Sequence, residues 1–411
     1  MPAAEDRSLP RYTERSAAEA LDAADPLARF RDRFEHRDPD RIYLDGNSLG
    51  MASADVRHAV TEGLEEWARD LVGGWESWIE LPRRVGDRLA RTCLGARPGE
   101  VLVSDSTTVN LFKLAHAALD VRDGAVVTDA ANFPTDRYVL AGVAAARGRR
   151  CVEVDHASDA VGVSDTGLVC LALVDYRSGA LLDMPGLTRA TDALVLWDLS
   201  HAVGAVEIDL TVADLAVGCT YKYLRAGPGA PAFLYVRREL ADGLRSPIQG
   251  WFGQRDQFAM GPAYDPAPGI DRFASGTPPI GGLHAIDAAL GIIEEAGMAA
   301  IAAKGRALTS LAAELTAGWL APLGFALASP DQAERRGCHV ALRHDEAWPI
   351  ARALIERANV IPDFRQPDVI RLGFDPLTTR FVDVWDGFDR MRSLVANAAH
   401  RAAVPPARRV T

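Results

Sequence analysis

The sequence lacks the signatures of several common protein classes. Its 411 residues carry a formal net charge of -11, and no basic stripe interleaved with aromatic residues is present, which argues against a nucleic-acid partner. No apolar run is long enough to span a bilayer, and the polar first forty residues contain no signal-peptide core. Neither a G-x-G-x-x-G fingerprint nor a Walker lysine occurs, so a dinucleotide or a nucleoside triphosphate is not indicated.

Cysteine is scarce, with five residues and no C-x-x-C pair, so the sequence predicts neither a metal site nor a redox motif. Cys151, Cys170 and Cys219 lie in or beside apolar runs that resemble strands, and we expect buried thiols there. Buried free thiols are typical of a reducing compartment. We therefore expect a cytoplasmic protein with no membrane partner.

Short apolar runs alternate with helical patterns from Glu100 onward, which predicts an α/β fold with a mainly parallel sheet. Hydrophobic residues make up 48% of the chain and charged residues 25%, as in ordinary globular proteins. A long helical stretch is predicted over 284–320, followed by a small α+β region. The predicted domains are an N-terminal arm over 1–50 that contributes to the small domain, a large domain over 51–283 and a small C-terminal domain over 284–411. The predicted strands of the large domain are 101–103, 125–128, 151–154, 168–174, 194–197 and 232–236.

An acid and a lysine stand beside two of these strands. Asp198 ends one apolar run, and Lys222 precedes the next. Burying ionisable groups is costly unless they are paired or used. Pyridoxal phosphate uses such a pair, because it forms a Schiff base with a lysine while a carboxylate keeps its ring nitrogen protonated. On these two residues alone, the alternative that Asp198 caps a turn and Lys222 lies in solvent stays open.

Polar residues also follow other strands, at the edge where parallel sheets gather functional groups. Thr107 and Thr108 lie between a strand and a helix, and helix N-termini bind phosphate, although capping alone is common. Phe133 is suited either to cover one face of a flat cofactor or to fill the core. Trp75 follows two glycines on a predicted loop, where its ring is suited to stack on a flat substrate.

The segment over 46–50 reads Gly-Asn-Ser-Leu-Gly and matches G-x-S-x-G, the nucleophile elbow of α/β-hydrolases. Such an elbow follows several strands of a sheet, whereas Ser48 precedes any βαβ pattern. We therefore favour a Gly/Asn turn that leads into a helix near Ala52.

The chain resembles kynureninase, a fold-type I pyridoxal-phosphate enzyme, from about Tyr43 to about Met391. The resemblance implies a large cofactor-binding domain with a mainly parallel sheet and a small C-terminal α+β domain. It also explains GNSLG as a family turn. The segments that carry it are LDGNSLG (44–50), WIELPRRVGD (78–87), SDSTTVNLFK (104–113), NFPTDRY (132–138), WDLSHAVGAVEIDL (197–210), GCTYKYLRAGPGAPAFLYV (218–236), GWFG (250–253), PAPGIDRFASGTPPI (266–280) and DVIRLGFDPL (368–377).

The resemblance implies roles for the matching residues. Lys222, Tyr221 and Asp198 are the expected catalytic residues, with Lys222 bound to the cofactor and Asp198 at its ring nitrogen. Trp251 and Thr277 are expected to reach in from a second subunit, which implies a homodimer with shared active sites. The expected cofactor-binding residues are Thr107, Thr108, Phe133, Asp136, Asp198, His201, Tyr221, Lys222, Trp251 and Thr277. The expected substrate-binding residues are Arg371, for the α-carboxylate, and Asn47, Ser48 and Trp75.

The implied reaction is hydrolytic Cβ–Cγ cleavage of L-kynurenine or 3-hydroxy-L-kynurenine, which yields anthranilate or its 3-hydroxy form and L-alanine. One alternative is another fold-type I enzyme, such as a cysteine desulfurase or lyase. A desulfurase needs a reactive thiolate, and Cys338, the one late candidate, is interpreted as structural. The other two alternatives are a serine hydrolase that uses Ser48 and a cofactor-binding protein without catalytic activity.

The chain also departs from the family pattern, which leaves the choice between kynurenine, its 3-hydroxy form and a ring-substituted analogue open. Relatives usually carry His-Asn where this chain has Val174-Asp175, a hydroxyl residue at Ala172, and asparagine at Arg225. Leu377-Thr378 stands where Leu-Tyr is usual.

Overall fold

The computed structural model describes residues 14–401. Within that range the strands are β1 (Ile42–Tyr43), β2 (Val101–Val103), β3 (Ala125–Asp129), β4 (Cys151–Val154), β5 (Thr166–Ala172), β6 (Leu194–Asp198), β7 (Leu215–Gly218), β8 (Phe233–Val236), β9 (Ala326–Leu327), β10 (His339–Arg343), β11 (Val360–Ile361), β12 (Asp363–Arg365) and β13 (Val369–Gly373). The α-helices are α1 (Arg15–Ala23), α2 (Ala54–Asp70), α3 (Trp75–Trp78), α4 (Leu81–Leu89), α5 (Thr107–Val121), α6 (Pro134–Ala146), α7 (Ala157–Ala160), α8 (Met184–Arg189), α9 (Arg238–Ala241), α10 (Ile280–Ala296), α11 (Met298–Leu315), α12 (Ala347–Arg357) and α13 (Phe381–Ala396).

The chain divides into two units. The smaller unit comprises the chain up to Ser48, the segment Arg177–Ala180 and the chain from Ala299 onward; the larger comprises Leu49–Tyr176 and Leu181–Met298. The division falls near residues 50 and 298, whereas the sequence places domain boundaries at 50 and 283. Those domain boundaries stay a prediction.

The larger unit is built on a seven-stranded sheet in the order β2-β8-β7-β6-β5-β3-β4. Neighbours from β7 to β4 pair in parallel, and β8 pairs antiparallel with both β2 and β7. Strands β5 and β6 are apolar along their length and buried, as expected where helices cover both faces of a parallel sheet. The predicted α/β fold with a mainly parallel sheet is confirmed.

One strand of this sheet escaped sequence prediction. Strand β7 is the four-residue run Leu215–Gly218, which was not identified as a strand in the sequence. It lies between β6 and β8, so the two strands beside Asp198 and Lys222 are second neighbours in the sheet. The carboxyl ends of β3, β5, β6 and β7 share one edge because these strands are parallel.

The smaller unit contains a four-stranded antiparallel sheet, β12-β13-β10-β9, and a parallel pair of β1 with β11. Helices α11, α12 and α13 contribute apolar side chains to its core, among them Leu311, Ile350 and Phe388. The predicted small α+β region is thus observed in this part of the chain.

Two local expectations were wrong. The helical stretch predicted over 284–320 is two helices, because α10 ends at Ala296 and Gly297 has a φ of 80° that a helix does not accommodate. Cys151 is exposed, since it begins β4 at the edge of the sheet, whereas Cys170 and Cys219 are buried as expected. Among residues 14–401, no helix combines the length and the apolarity that crossing a membrane requires.

Candidate active site

Lys222 and His201 are in contact in the larger unit. Lys222 lies on the segment after β7, and His201 lies on the turn after β6. The Nζ atom of Lys222 is 2.9 Å from Nε2 of His201. Lys222 is half-buried and His201 is buried, so the amine is partly screened from water. The structure therefore brings together two of the residues that the sequence placed near a cofactor.

Two buried carboxyl groups lie next to this pair. Asp198 ends β6, and its Oδ1 accepts a hydrogen bond from the backbone nitrogen of Ser200 at 2.7 Å. Asp136, in the first turn of α6, shares a hydrogen bond with Asp198. Burial, followed by the charge of Asp198, raises the pKa of Asp136 well above its usual value, while Lys222 opposes the rise. This environment favours the protonated form of Asp136.

Tyr221 is tied to the same cluster through a buried thiol. Cys219 donates to the carbonyl oxygen of Ser200 at 3.7 Å and shares a hydrogen bond with Tyr221. Burial, then Cys219, raises the pKa of Tyr221, and burial also raises the pKa of Cys219. The tyrosine stays protonated at neutral pH, so it is able to donate a proton but not to act as a base.

The last glycine of the GNSLG segment lies against the lysine loop. Gly50 donates from its backbone nitrogen to the carbonyl oxygen of Tyr221 at 2.9 Å. A side chain at Gly50 would come within 2.4 Å of the Lys222 carbonyl oxygen. Gly50 is therefore needed for close backbone packing beside Lys222.

The predicted phosphate-binding residues lie at the start of a helix. Helix α5 begins at Thr107, and the side chain of Ser106 caps it by accepting from the backbone nitrogen of Val109 at 3.4 Å. Thr107 is half-buried and Thr108 is exposed. The 15-residue helix directs its N-terminal dipole and unpaired backbone N–H groups toward this turn.

Phe133 is the N-cap of α6 and is half-buried, so it does not fill the core. Its ring packs edge-on against Tyr176 at a centroid distance of 5.2 Å. Because Asp136 follows in the first turn of the same helix, the local helix geometry places Phe133 near the buried carboxyl pair.

Trp75, Trp251 and Thr277 form a second group in the larger unit. Trp75 begins the short helix α3 and does not lie on the predicted loop. Phe252 connects the two tryptophans, with ring centroids 6.0 Å from Trp75 and 4.4 Å from Trp251. Trp75 and Thr277 line a cavity of about 200 Å³. Sequence analysis missed Phe252, although its position next to Trp251 in an aromatic pair was a usable signal.

The remaining predicted residues lie in the smaller unit. Arg371, on β13, donates from Nε to Oδ2 of Asp363 at 2.6 Å and from a terminal nitrogen to Ser48 Oγ at 3.4 Å. Ser48 also hydrogen-bonds to Asp45, a residue that sequence analysis missed. Burial and then the charge of Asp363 raise the pKa of Asp45 to about 7. Ser48 thus belongs to a carboxylate–guanidinium cluster, which does not resemble the serine–base pair of a hydrolase.

Asn47 is fully buried in the same unit, and neither its amide nitrogen nor its amide oxygen has a hydrogen-bond partner among residues 14–401. An unpaired buried polar group costs about 1–3 kcal/mol. The substrate-binding role expected for Asn47 stays a prediction.

Comparison with known proteins gives relatives along nearly the whole chain. A kynureninase of Pseudomonas fluorescens is 42% identical over 392 residues, which covers 91% of this chain and 94% of that protein. A kynureninase of Burkholderia pseudomallei is 40% identical over 409 residues, covering 94% of this chain and 97% of that protein. A family model described as the kynureninase C-terminal domain matches residues 301–391.

Solved structures share the fold at low identity. A cysteine desulfurase of Thermococcus onnurineus has a TM-score of 0.75 at 17% identity, covering 87% of this chain and 96% of that chain. A cysteine desulfurase of Escherichia coli has a TM-score of 0.77 at 16% identity, covering 90% of this chain and 98% of that chain. At such identity the likeness extends to the fold alone.

Proposed function

Because the chain belongs to the kynureninase family, we propose that it is a pyridoxal-phosphate-dependent hydrolase that cleaves the Cβ–Cγ bond of L-kynurenine or 3-hydroxy-L-kynurenine. Water enters as the second substrate, and the products are anthranilate or its 3-hydroxy form and L-alanine. We further propose that the enzyme acts in the cytoplasm.

The observation that carries this proposal is the contact of Lys222 with His201 beside the buried pair of Asp136 and Asp198. This donor set fits pyridoxal phosphate. Its aldehyde requires a lysine amine and its ring nitrogen a carboxylate, and both stand at the carboxyl edge of one sheet. The Oδ2 atom of Asp136 is buried and has no hydrogen-bond partner within residues 14–401, as expected where a bound group completes the site.

Each part of the cofactor has a counterpart among these residues. Lys222 would hold the aldehyde carbon, Asp198 the ring nitrogen and Phe133 one ring face, with His201 and Asp136 beside them. The phosphate would be held by a set of hydroxyl and indole groups around the N-terminus of α5, namely Thr107, Thr108, Tyr221, Trp251 and Thr277. When bound, the cofactor withdraws electrons from the substrate Cα and so makes its hydrogen acidic.

The chain's own residues supply the proton transfers. Lys222 takes the Cα proton at Nζ, and His201, at 2.9 Å, keeps the amine oriented. Asp198 would keep the ring nitrogen of the cofactor protonated, and Asp136, which shares a hydrogen bond with Asp198, would support it. Tyr221 retains its proton because its pKa is raised, so it donates to the substrate side chain as the Cβ–Cγ bond breaks.

Arg371 would bind the substrate α-carboxylate, since a guanidinium recognises a carboxylate through two parallel hydrogen bonds. Asp363 already accepts from Arg371 and fixes the plane of the guanidinium. Asn47 and Ser48 are the neighbouring polar groups, and the unpaired amide of Asn47 is available for the substrate.

We also propose that the enzyme is a homodimer in which Trp251 and Thr277 serve the site of the second copy. An exposed apolar surface on the larger unit supports this, because such surfaces mark protein interfaces. Trp67 on α2 is 60% exposed and Val72 is 81% exposed, while Trp251 is 43% exposed. Sedimentation of the wild type and Trp67→Glu tests the proposal, which predicts a dimer and a shift toward monomer. A wild-type monomer would refute it.

Trapping with borohydride tests the cofactor assignment directly. The chain has only three lysines, so reduction of the cofactor-loaded enzyme and digestion should place the label on the peptide with Lys222. The peptides with Lys113 and Lys304 serve as controls in the same digest. Lys222→Ala should abolish the visible absorption of the bound cofactor, and label on another lysine would refute the assignment.

Alanine release tests the reaction itself. The loaded enzyme is given L-kynurenine and 3-hydroxy-L-kynurenine in parallel, and release from either is the expected result, with the ratio of kcat/KM naming the preferred substrate. Cofactor labelling of Lys222 without alanine from either compound would retain the cofactor and refute the reaction. Cys338 does not favour the desulfurase alternative, because it is only 1% exposed.

A further inference from the structure

Lysine is rare in this chain, and none of its three lysines is classed as exposed. They are three of 45 basic residues, and arginine supplies all the others. The Lys113 side chain is 0% exposed and that of Lys304 is 7% exposed, while Lys222 is half-buried. Lysine differs from arginine in that its ammonium is a compact point with three donors. The function proposed above uses Lys222, so the buried Lys113 in the same unit needs its own explanation.

All three donors of Lys113 are used, in a compact arrangement. From the middle of α5, its Nζ donates to Oδ2 of Asp105 at 2.8 Å, to Oγ of Ser104 at 3.1 Å and to the carbonyl oxygen of Phe273 at 2.7 Å. Ser104 and Asp105 belong to the turn between β2 and α5, whereas Phe273 lies more than 150 residues later in the chain. The ammonium therefore joins the turn to a distant segment.

Asp105 also hydrogen-bonds directly to the distant segment that contains Phe273 and Ser275. Its Oδ2 also accepts from Oγ of Ser275 at 3.1 Å, and its φ of 48° gives the turn a left-handed kink two residues before Thr107. Ser275 lies two residues before Thr277. We refer to the buried Lys113 and its half-buried partners Asp105 and Ser275 together as the buried network.

The buried network also reaches the Trp251 segment. The carbonyl oxygen of Ser275 accepts from the backbone nitrogen of Phe252 at 3.2 Å. A side chain at Gly250 would come within 1.9 Å of that same oxygen, so the two backbones are in close contact. The network therefore contacts the segments of Thr107, Thr108, Thr277 and Trp251, which are four of the five residues that the proposed function assigns to the phosphate.

Opposite charge and hydrogen bonds hold the ion pair of the network together. Burial alone would raise the pKa of Asp105, but Lys113 and hydrogen bonds from Ser275 and Ser104 hold it below its usual value. Burial lowers the pKa of Lys113, and the charge and hydrogen bond of Asp105 oppose that shift.

We propose that Lys113 is a positioning residue for phosphate recognition: through Asp105 and Ser275 it holds in place both the Thr107–Thr108 turn and the segment that carries Thr277. This inference rests on the proposed function, because the phosphate is that of the cofactor. Binding groups must be held to within about 0.5 Å of the productive geometry to be effective. In the proposed dimer Thr277 serves the other copy's site, so each buried network connects the phosphate turn of one site with a loop of the other.

The test compares two ligands that differ only in the phosphate. The dissociation constants of pyridoxal phosphate and of pyridoxal are measured by absorbance titration of the cofactor-free wild type, Lys113→Met and Lys304→Met. Lys304 is the matched control, because its ammonium is also buried and pairs with a carboxylate, that of Asp25, at 2.6 Å in the smaller unit. We expect both variants to lose thermal stability. Lys113→Met alone should weaken binding of pyridoxal phosphate by about tenfold or more, the loss of one hydrogen bond to a charged group, and leave pyridoxal unaffected.

A milder variant covers the case in which Lys113→Met does not fold. Ser275→Ala removes one hydrogen bond of the network, and it should weaken binding of pyridoxal phosphate by about threefold to tenfold with no effect on pyridoxal. Equal weakening of both ligands, or unchanged affinity for both, in the folded variants would overturn the positioning role. So would an equal loss in Lys304→Met. A wild type that binds neither ligand would instead refute the proposed function, so the two failures are distinguishable.

Discussion

Replacing Asp45 with asparagine should change the pH dependence of stability in a defined direction. Asp45 is 8% exposed, and its pKa in the folded chain is about 7, against an ordinary value of 3.8. The difference is about three pKa units, and each unit corresponds to ~1.4 kcal/mol. Ionised Asp45 therefore destabilises the folded state by roughly 4 kcal/mol relative to protonated Asp45.

The sign of the effect follows from proton binding. Below about pH 4 both the folded and the unfolded chain hold the proton on Asp45, so the residue imposes no penalty. As the pH rises toward about 7, the unfolded chain loses this proton first, and the folded state loses stability. Above that pH the full penalty applies. An asparagine side chain at this position cannot ionise but can still accept from Ser48, so Asp45→Asn should be more stable than the wild type by up to roughly 4 kcal/mol at about pH 8.

Urea unfolding of the cofactor-free protein at a series of pH values measures this difference. Asp345→Asn, which removes an exposed carboxylate from the same unit, is the matched control. The charged groups around Asp45 are Asp363, Arg371 and Arg365. They are present in both the wild type and Asp45→Asn, so the difference between the two stability curves reports on Asp45. The reasoning would be refuted if the free energies of unfolding of wild type and Asp45→Asn changed in parallel from pH 4 to about 8. The loss of stability with rising pH would then not come from the Asp45 carboxyl group.

Three further outcomes are expected. Asp198→Asn should retain cofactor binding but lower kcat by about 100- to 1000-fold, the usual loss for one preorganised charge, and kcat near the wild-type value would contradict its role. Gly50→Ala should lower both stability and activity, since a side chain would come within 2.4 Å of the Lys222 carbonyl oxygen. The control Gly142→Ala lies in α6 with open space around it and should stabilise the protein by about 0.5–1 kcal/mol, so urea unfolding should shift in opposite directions for the two variants. A maleimide reagent should modify Cys151 in the native protein and spare Cys170 and Cys219, which mass spectrometry of the digest measures; labelling of all three would contradict the burial.

Local sequence patterns predicted the part of the site that lies at strand ends. The apolar run ending at Asp198 is a strand with the same end, and His201 and Lys222 follow strands of the same sheet. These predictions succeed because strand length and direction are local properties, and the carboxyl ends of parallel strands gather at one edge. Strand β7 was missed although β2 and β4, which are no longer than it, were predicted, so its length does not explain the miss.

Contacts between distant segments could not be predicted. Arg371 and Ser48 are 323 residues apart in sequence, and Lys113 and Phe273 are 160 apart. Cys151 was misjudged for the same reason, since the position of a strand at the edge of a sheet depends on pairing and not on the residues of that strand. Lys113 did leave a signal, a charged residue between the apolar Phe112 and Leu114 within a helix, but its partners are visible only in the fold.

The two units use charge in a related way. In the larger unit, burial and the charge of Asp198 raise the pKa of Asp136 beside Lys222, which disfavours a second negative charge in the group proposed to hold the ring nitrogen. In the smaller unit, Asp45 and Asp363 lie near Arg371, and proton uptake by Asp45 removes one negative charge from the group that must accept a substrate carboxylate. KM for the substrate should therefore rise with pH through about 7 in the wild type and lose that rise in Asp45→Asn. If KM rises equally with pH in Asp45→Asn, then Asp45 does not control substrate binding, and other charged groups cause the rise.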